Sequence, residues 1–243
     1  NMPYRRLPNT DQARLRALKA AISKGVALSP VDLAFSQSAL LQLRSFLPHF
    51  EQLLDQYRSS RKRQAEIGRE LAEHFRMARL YVSHFLQVVN LSIIRGELKP
   101  AVRTFYGLDE NDKSVPEVGT EQQLMVWGKQ LISGEEKRMA TGATRIYNPS
   151  LAMVKVRFDK FVELYNLHKD LLSTSQKLME KVAEYRNQAD DLITLVWNEI
   201  EKTYENLDPE EKRQICSEYG IVYVFRPGER ESAAEAAEEE ELL

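Results

Sequence analysis

The chain has 243 residues, of which 43% are hydrophobic and 29% are charged, and its formal net charge is −2. This balance is ordinary for a folded, soluble protein with a substantial core. Cys216 is the only cysteine, which excludes an intrachain disulfide. The apolar runs are only a few residues long and the N-terminal stretch does not resemble a secretory signal. We therefore expect no membrane span and a cytoplasmic location.

The first predicted helix follows a basic N-terminal arm. Thr10 is a helix N-cap residue, and Gly25 is a typical helix stop, so the pattern predicts a short helix between them. The arm and this helix together carry six basic side chains, which are Arg5, Arg6, Arg14, Arg16, Lys19 and Lys24.

A long second helix is predicted from Ser29-Pro30 to Gly96, because apolar residues recur along it in steps of three and four. Pro48 lies inside this pattern and should kink the helix or begin a new one. The run "RSSRKRQ" from Arg58 to Gln64 interrupts the apolar stripe. Since the run contains neither Gly nor Pro, we favour a continuous, locally exposed helix over a turn.

The second half of the chain repeats this order of elements. After an irregular linker, Thr120 is the N-cap of a third, short helix that ends near Gly142. Asn148-Pro149 then provides an N-cap and a first helical residue for a fourth helix of about 57 residues, about 85 Å long. Asp208-Pro209 begins one more short helix, which ends at Gly220.

Two segments follow the last helix. Residues 221–225, "IVYVF", have strand composition but no obvious partner strand, so we expect an extended piece packed over the helices. Residues 229–243 contain seven acidic residues and one arginine, which leaves about +4 for the rest of the chain. We expect this acidic segment to be mobile or a frayed helix, with docking onto a basic patch as the alternative.

These elements predict an all-α fold, an elongated antiparallel helical bundle with two long helices and two or three shorter ones. We interpret residues 1–228 as a single helical-bundle domain. The matching order of short and long helices also allows an internal duplication, with halves 10–95 and 120–206.

The sequence lacks the residue spacings that common functional sites require. The closest glycines, Gly128 and Gly134, are six residues apart, which excludes the usual phosphate-binding loops.

None of the four histidines has the Glu-x-x-His spacing of di-iron bundles. His74 has Glu70 one turn away, but a solvated surface pair is the favoured interpretation over a metal site. His168 falls on the apolar stripe, where a hydrogen-bonded core histidine is expected.

Cys216 lies near Lys212 and Arg213, which would lower its pKa, yet a packing role is favoured. The sequence predicts no catalytic residue, cofactor site or metal site.

Seven residues are the candidates for an interaction patch. Four form the basic run of the long helix, and three lie in the linker, where aromatic side chains stand beside an arginine: Arg58, Arg61, Lys62, Arg63, Arg103, Phe105 and Tyr106. For the linker residues, packing over the end of the bundle is favoured over an exposed recognition patch. Acidic residues soon follow the basic run, so a solvated helix face is favoured over a phosphate-binding one.

The resulting hypothesis is a non-enzymatic scaffold or adaptor that binds another protein or a second copy of itself. One alternative is a ligand-binding or enzymatic bundle whose site is assembled from scattered residues. Another is a nucleic-acid-associated protein that uses the basic N-terminal arm, although the pI of about 6.2 disfavours nucleic acid.

Overall fold

The computed structural model describes residues 2–229, and the prediction for the acidic segment therefore lies almost wholly outside the described residues. Within this range the protein is all-α, as predicted, with two long helices that pack against each other. The helices are α1 (Asp11–Ala27), α2 (Gln37–Ile94), a 3₁₀-helix (Pro100–Tyr106), α3 (Glu121–Ala140), α4 (Leu151–Thr203) and α5 (Pro209–Glu218). Two short strands, β1 (Tyr4–Arg5) and β2 (Tyr223–Val224), pair antiparallel.

The starts of the three short α-helices agree with the sequence analysis. The Thr10 hydroxyl accepts a hydrogen bond from the Ala13 amide at 3.1 Å. Thr120 and Gln123 form a reciprocal capping box at the start of α3. Asp208 caps α5, and Pro209 is its first residue. Gly142 and Gly220 both have positive φ just beyond a helix end, where glycine is favoured.

Both long helices begin later than predicted. The Ser36 hydroxyl caps α2 by accepting from the Ala39 amide at 3.1 Å, whereas Ser29 starts only a single turn. The Ser150 hydroxyl lies 3.3 Å from the Met153 amide at the start of α4. Asn148 has φ of 53°, which is far from the extended geometry of an N-cap residue. The predictions of Ser29-Pro30 and Asn148-Pro149 as helix starts are therefore wrong, because the capping residues are Ser36 and Ser150.

Helix α2 is continuous through both points where a break was considered. No new helix begins at Pro48, and residues 58–64 are helical with Arg58, Arg61, Lys62 and Arg63 exposed. Proline removes one intrahelical hydrogen bond, but Leu43 and Phe50 on either side of Pro48 are fully buried. Burial of this stripe offsets the missing bond.

The contacts of the chain divide it into two compact units. Unit 1 comprises the described residues within Asn1–Arg58 and Gln176–Leu243, and unit 2 comprises Ser59–Ser175. In unit 1 the beginning of α2 packs against the end of α4, and in unit 2 the end of α2 packs against the beginning of α4. The two long helices are therefore antiparallel, as predicted. Each unit contains parts of both proposed duplicated halves, and the duplication and the single domain remain predictions.

The core of unit 1 is covered by α1 and α5. Leu18, Phe50 and Trp197 are almost completely buried in it. The strand pair closes one side, because Tyr4 pairs with Val224 and the Arg6 amide donates to the Val222 carbonyl at 2.8 Å. The segment 221–225 thus has a partner strand that the sequence analysis did not find.

Two ion pairs attach α1 to α4 within unit 1. The Arg186 guanidinium donates to both carboxylate oxygens of Asp11, at 2.8 and 2.7 Å. Arg14 in turn donates to both oxygens of Asp190, at 2.8 and 3.2 Å. Hydrogen bonding to Arg186 lowers the pKa of Asp11 below its ordinary value of 3.8, although partial burial opposes this shift.

The core of unit 2 depends on close approach between elements. Phe85, Leu124 and Phe161 are almost completely buried in it. A Cβ atom on Gly134 would lie 2.1 Å from the carbonyl oxygen of Phe105, so this glycine lets α3 contact the backbone of the 3₁₀-helix directly.

One 18-residue window of α2 has a mean hydropathy of 1.2 and is apolar enough to cross a membrane by length and composition alone. One third of that window is buried within the protein. A single helix of this kind is only a weak indication, because core helices also meet the criterion. The absence of a membrane span remains a prediction.

We expect Gly134→Ala to lower the free energy of unfolding by about 1–3 kcal/mol, because the added methyl group meets rigid backbone. Alanine's higher helix propensity, worth about 1 kcal/mol, offsets only part of this cost. Urea denaturation measures the change. Gly119→Ala is the control, since its Cβ would have its nearest neighbour at 3.8 Å. Equal stability of the two variants would contradict the close approach.

We expect the free energy of unfolding to fall as the pH drops below about 3.8, and this fall should be smaller in Asp11→Asn. A carboxylate whose pKa is lowered on folding stabilises the folded state above its unfolded pKa, and this contribution disappears as the folded carboxylate is protonated. Denaturation curves between about pH 2 and 6 test this. Asp191→Asn, which removes an exposed carboxylate beside Asp190, is the matched control.

Candidate functional site

A buried ion pair lies at the centre of unit 2. Glu135 and Arg138 are each 1% exposed, one helical turn apart on α3. The Arg138 guanidinium donates to the Glu135 carboxylate, with Nη2 at 2.6 Å from Oε1 and Nε at 3.0 Å from Oε2. The buried Tyr106 hydroxyl also donates to Glu135, at 2.5 Å. Both charges are therefore paired and hydrogen-bonded, which burial requires.

This pair also positions the loop between α3 and α4. Nη2 of Arg138 donates to the carbonyl oxygen of Thr144 at 2.7 Å, so the guanidinium bridges the helix and the loop. Two residues further, Ile146 is buried. The loop is consequently held at Thr144 and Ile146, and the residue that follows, Tyr147, is directed outwards.

Several apolar side chains around this loop are exposed to solvent. Tyr147 is 68% exposed and Met153, in the first turn of α4, is 44% exposed. Leu80 on α2 is 47% exposed and lines the same small cavity as Met153. Val156 lies three residues after Met153, on the same side of α4. We call this group the Tyr147 surface: Leu80, Tyr81, His84, Tyr147, Met153 and Val156.

Two cavities adjoin the Tyr147 surface. The larger has a volume of about 640 Å³ and is lined by Met139, Ile146 and Leu151, with Glu135 at its wall. The smaller, of about 210 Å³, lies between Leu80, Tyr81 and His84. Asn148 and Met153 line both cavities, so the surface is continuous across the loop.

The chemistry of the surface suits recognition better than proton transfer. The carboxylate of Glu135 is already hydrogen-bonded to Arg138 and Tyr106. Burial and the hydrogen bond to Glu135 raise the pKa of Tyr106 far above its usual range, and its hydroxyl stays protonated. On the rim, Arg157 stacks over the Tyr81 ring at 5.2 Å. Tyr, Met and Arg are enriched where proteins contact each other.

The four basic candidates on α2 are exposed. Arg58 lies 3.5 Å from Asp55, in an exposed ion pair that contributes little. Arg61, Lys62 and Arg63 are exposed on the following turn of α2.

Two of the three linker candidates are buried, so the linker does not form the exposed patch that was the less favoured of its two interpretations. Arg103 is 3% exposed and donates to the carbonyl oxygens of Asp109 and Ser114, at 2.8 and 2.9 Å, and to Asn90. It therefore organises the acidic loop instead of facing a partner. Tyr106 is buried against Phe85 and Glu135. Only Phe105 is partly exposed.

The histidines and the cysteine have surroundings that sequence reasoning only partly anticipated. The buried Nδ1 of His74 has no hydrogen-bond partner within the described chain. His168 is half-buried, with Nε2 directed at Gly68. Cys216 is completely buried, and this burial raises the pKa of its thiol despite nearby Lys212. Packing is thus its role. In residues 2–229, no group of three His, Cys, Asp or Glu side chains could hold a metal ion.

The sequence analysis predicted neither the Tyr147 surface nor the buried ion pair of Glu135 and Arg138. The only signal was Glu135 three residues before Arg138, a spacing that usually marks a solvated helix face. Tyr147 stands directly before the Asn-Pro pair, which was interpreted as a helix start and not as an exposed loop.

Comparisons with protein-family models, curated proteins and solved structures give no match to this chain. Its interpretation therefore depends on its own residues.

We expect Arg138→Met to lower the free energy of unfolding by about 3–5 kcal/mol, because it leaves the Glu135 carboxylate buried without a counter-charge. The double variant Glu135→Leu/Arg138→Met should lose much less, since no buried charge remains. Urea denaturation of the three proteins measures this coupling. Lys155→Met removes an exposed pair with Glu136 and should cost less than about 1 kcal/mol. Equal losses in the single and double variants would contradict the coupling.

Proposed function

We propose that this protein is a non-enzymatic helical scaffold or adaptor that binds another protein, or a second copy of itself, through the Tyr147 surface. The observation that carries the proposal is the group of exposed apolar side chains beside a loop held by a buried ion pair. Contiguous exposed apolar residues rimmed by polar ones are typical of protein-binding surfaces.

Anchoring of the loop supports this function in a second way. A binding residue whose backbone is already held loses little conformational freedom on association, so more of the contact energy appears as affinity. Tyr147 follows an anchored backbone, and Met153 lies on a helix. The cavity of about 640 Å³ beside them could receive a bulky side chain of the partner, as binding hot spots commonly do.

A small-molecule-binding protein is the second candidate. The same cavity favours it, because its volume lies in the usual range of ligand pockets, about 300–1,000 Å³, and its wall is mainly apolar. Native mass spectrometry of the purified protein separates the candidates. A stoichiometric small molecule lost on Met139→Trp, which narrows the cavity, would favour ligand binding.

We expect a photo-crosslinking amino acid at position 147 to give one discrete crosslinked species in extracts of the source cells. The same amino acid at Val31 is the control, since Val31 is 93% exposed and lines neither of the two cavities beside the Tyr147 surface. Met153→Glu should abolish the crosslink at 147, because a carboxylate would be desolvated in the contact. A crosslinked mass of twice the chain identifies a second copy.

The proposal fails if position 147 crosslinks no more than position 31. It also fails if Met153→Glu leaves the crosslinked species unchanged while the protein remains folded by circular dichroism.

A further inference from the structure

Unit 1 contains a groove of about 580 Å³ between the N-terminal arm, α1 and the chain that leads into β2. Arg6 and Arg16 line this groove, and both are exposed to solvent. Among the described residues, no aspartate or glutamate lines it. The lining is therefore positively charged, and we call this site the arginine groove.

The two arginines of this groove differ from the other basic residues of the arm and α1. Each of those others lies within 3.5 Å of a carboxylate, in the pairs Arg5–Glu201, Arg14–Asp190, Lys19–Glu51 and Lys24–Glu218. Within residues 2–229, the side chains of Arg6 and Arg16 make no ion pair or hydrogen bond. The unpaired positive charges of this region are thus concentrated at one groove.

Both arginines belong to backbone that is held in place. The Arg6 amide donates to the Val222 carbonyl at 2.8 Å, directly beside the strand pair. Arg16 lies in the second turn of α1, on the same helix face as Ala20, which also lines the groove. Gly220 comes so close to this face that a Cβ atom on it would lie 2.6 Å from the Cβ of Ala20. Binding of a ligand here requires little ordering of the backbone.

A phosphate monoester has the charge that neutralises this lining. Its phosphoryl group carries about −1.5 to −2 at pH 7 and has three acceptor oxygens, so two guanidinium groups can donate to it together. The planar guanidinium also matches phosphate in bidentate geometry. A single carboxylate would leave one arginine without a counter-charge. The groove therefore suits a phosphoryl group better than a carboxylate.

The groove also has room for an organic group attached to the phosphate. Its volume lies in the usual range of small-molecule sites, about 300–1,000 Å³. Leu7 and Val222 line it and are 44% and 48% exposed, so their side chains are accessible to a ligand. Nucleic acid is disfavoured, because it needs several phosphate contacts on one face and the neighbouring basic residues are already paired.

We propose that the arginine groove binds a small organic phosphate monoester, with the phosphoryl group held by Arg6 and Arg16 and the organic group against Leu7 and Val222. This site belongs to unit 1 and is independent of the Tyr147 surface. The protein thus has a ligand-binding site in addition to its proposed protein-binding surface.

Titration of the full chain with phenyl phosphate, followed by amide chemical shifts, tests the proposal. We expect saturable shifts for the amides of Ala13, Ala20 and Val222, which line the groove. The amide of Val31, which does not line it, is the internal control and should not shift.

Variants of the two arginines test which side chains hold the phosphoryl group. Arg6→Gln and Arg16→Gln should each weaken binding about tenfold, since each variant loses a charge-assisted hydrogen bond. Both side chains are exposed, so the variants should fold normally. The control Lys62→Gln/Arg63→Gln, which removes two exposed charges from α2, should leave the affinity unchanged.

Phenyl sulfate is the matched control ligand, because it has the same shape but a single negative charge. It should bind several-fold more weakly than phenyl phosphate. Lowering the pH from about 7.5 to about 5 protonates the phosphate monoester and should weaken its binding. Binding of phenyl sulfate should not change over this range, because the arginines remain protonated.

Four results would overturn the proposal. In the first, phenyl phosphate gives no saturable shift of the groove amides. In the second, Arg6→Gln/Arg16→Gln, folded by circular dichroism, binds phenyl phosphate as tightly as the unaltered chain. In the third, phenyl sulfate binds as tightly as phenyl phosphate. In the fourth, a phosphotyrosine peptide binds far more tightly than phenyl phosphate, which would assign the groove to a phosphorylated protein.

Discussion

A helix of more than fifty residues with an apolar stripe cannot remain exposed in water, and the fold follows from the need to cover the stripes of α2 and α4. Antiparallel packing buries most of each stripe, with Phe50 against the end of α4 in unit 1 and Phe161 against α2 in unit 2. The remaining sides are covered by α1 and α5 in unit 1, and by α3 and the 3₁₀-helix in unit 2. The short helices are thus necessary parts of the cores, since two helices alone leave one side of each stripe open.

The buried ion pair of unit 2 has a different role from the apolar contacts. Such a pair contributes little net stability, because desolvation of both charges opposes their attraction. The pair acts on the position of the loop, because the guanidinium of Arg138 donates both to Glu135 and to the carbonyl oxygen of Thr144 and so ties the loop to α3. Specific placement of Tyr147 follows from that attachment. The ion pairs of unit 1 are more exposed and hold α1 to α4 without fixing a loop.

Apolar spacing and capping residues predicted the five α-helices and their order, but not the 3₁₀-helix of the linker, Pro100–Tyr106. The antiparallel pairing followed from the need to cover two long apolar stripes. The predicted helix starts were wrong where a residue type fits two local structures, an N-cap and a turn. Ser29 and Asn148 have the side chains of N-cap residues, but each belongs to the turn before its helix. The pairing of Tyr4 with Val224 joins the N-terminal arm to the segment 221–225. The spacing of apolar residues does not predict which distant segments of a chain pair with each other. Arg103 and the pair of Glu135 and Arg138 are buried because loops cover them. Their spacing in the sequence is the same as that of charged residues on a solvent-exposed helix face, so it could not predict this burial. Placement of the acidic segment lies outside what the structure describes.

The path of the chain through the two units also has a kinetic consequence. Unit 2 is one continuous stretch, Ser59–Ser175, whose ends are joined by a hydrogen bond of 2.7 Å between the hydroxyls of Ser60 and Ser175. Unit 1 is assembled from the segments before and after it. During synthesis, every residue of unit 2 is added to the chain before the second segment of unit 1 is begun. The first segment, with the apolar side chains of α1 and the start of α2, therefore has to wait for the end of α4 before its core is covered.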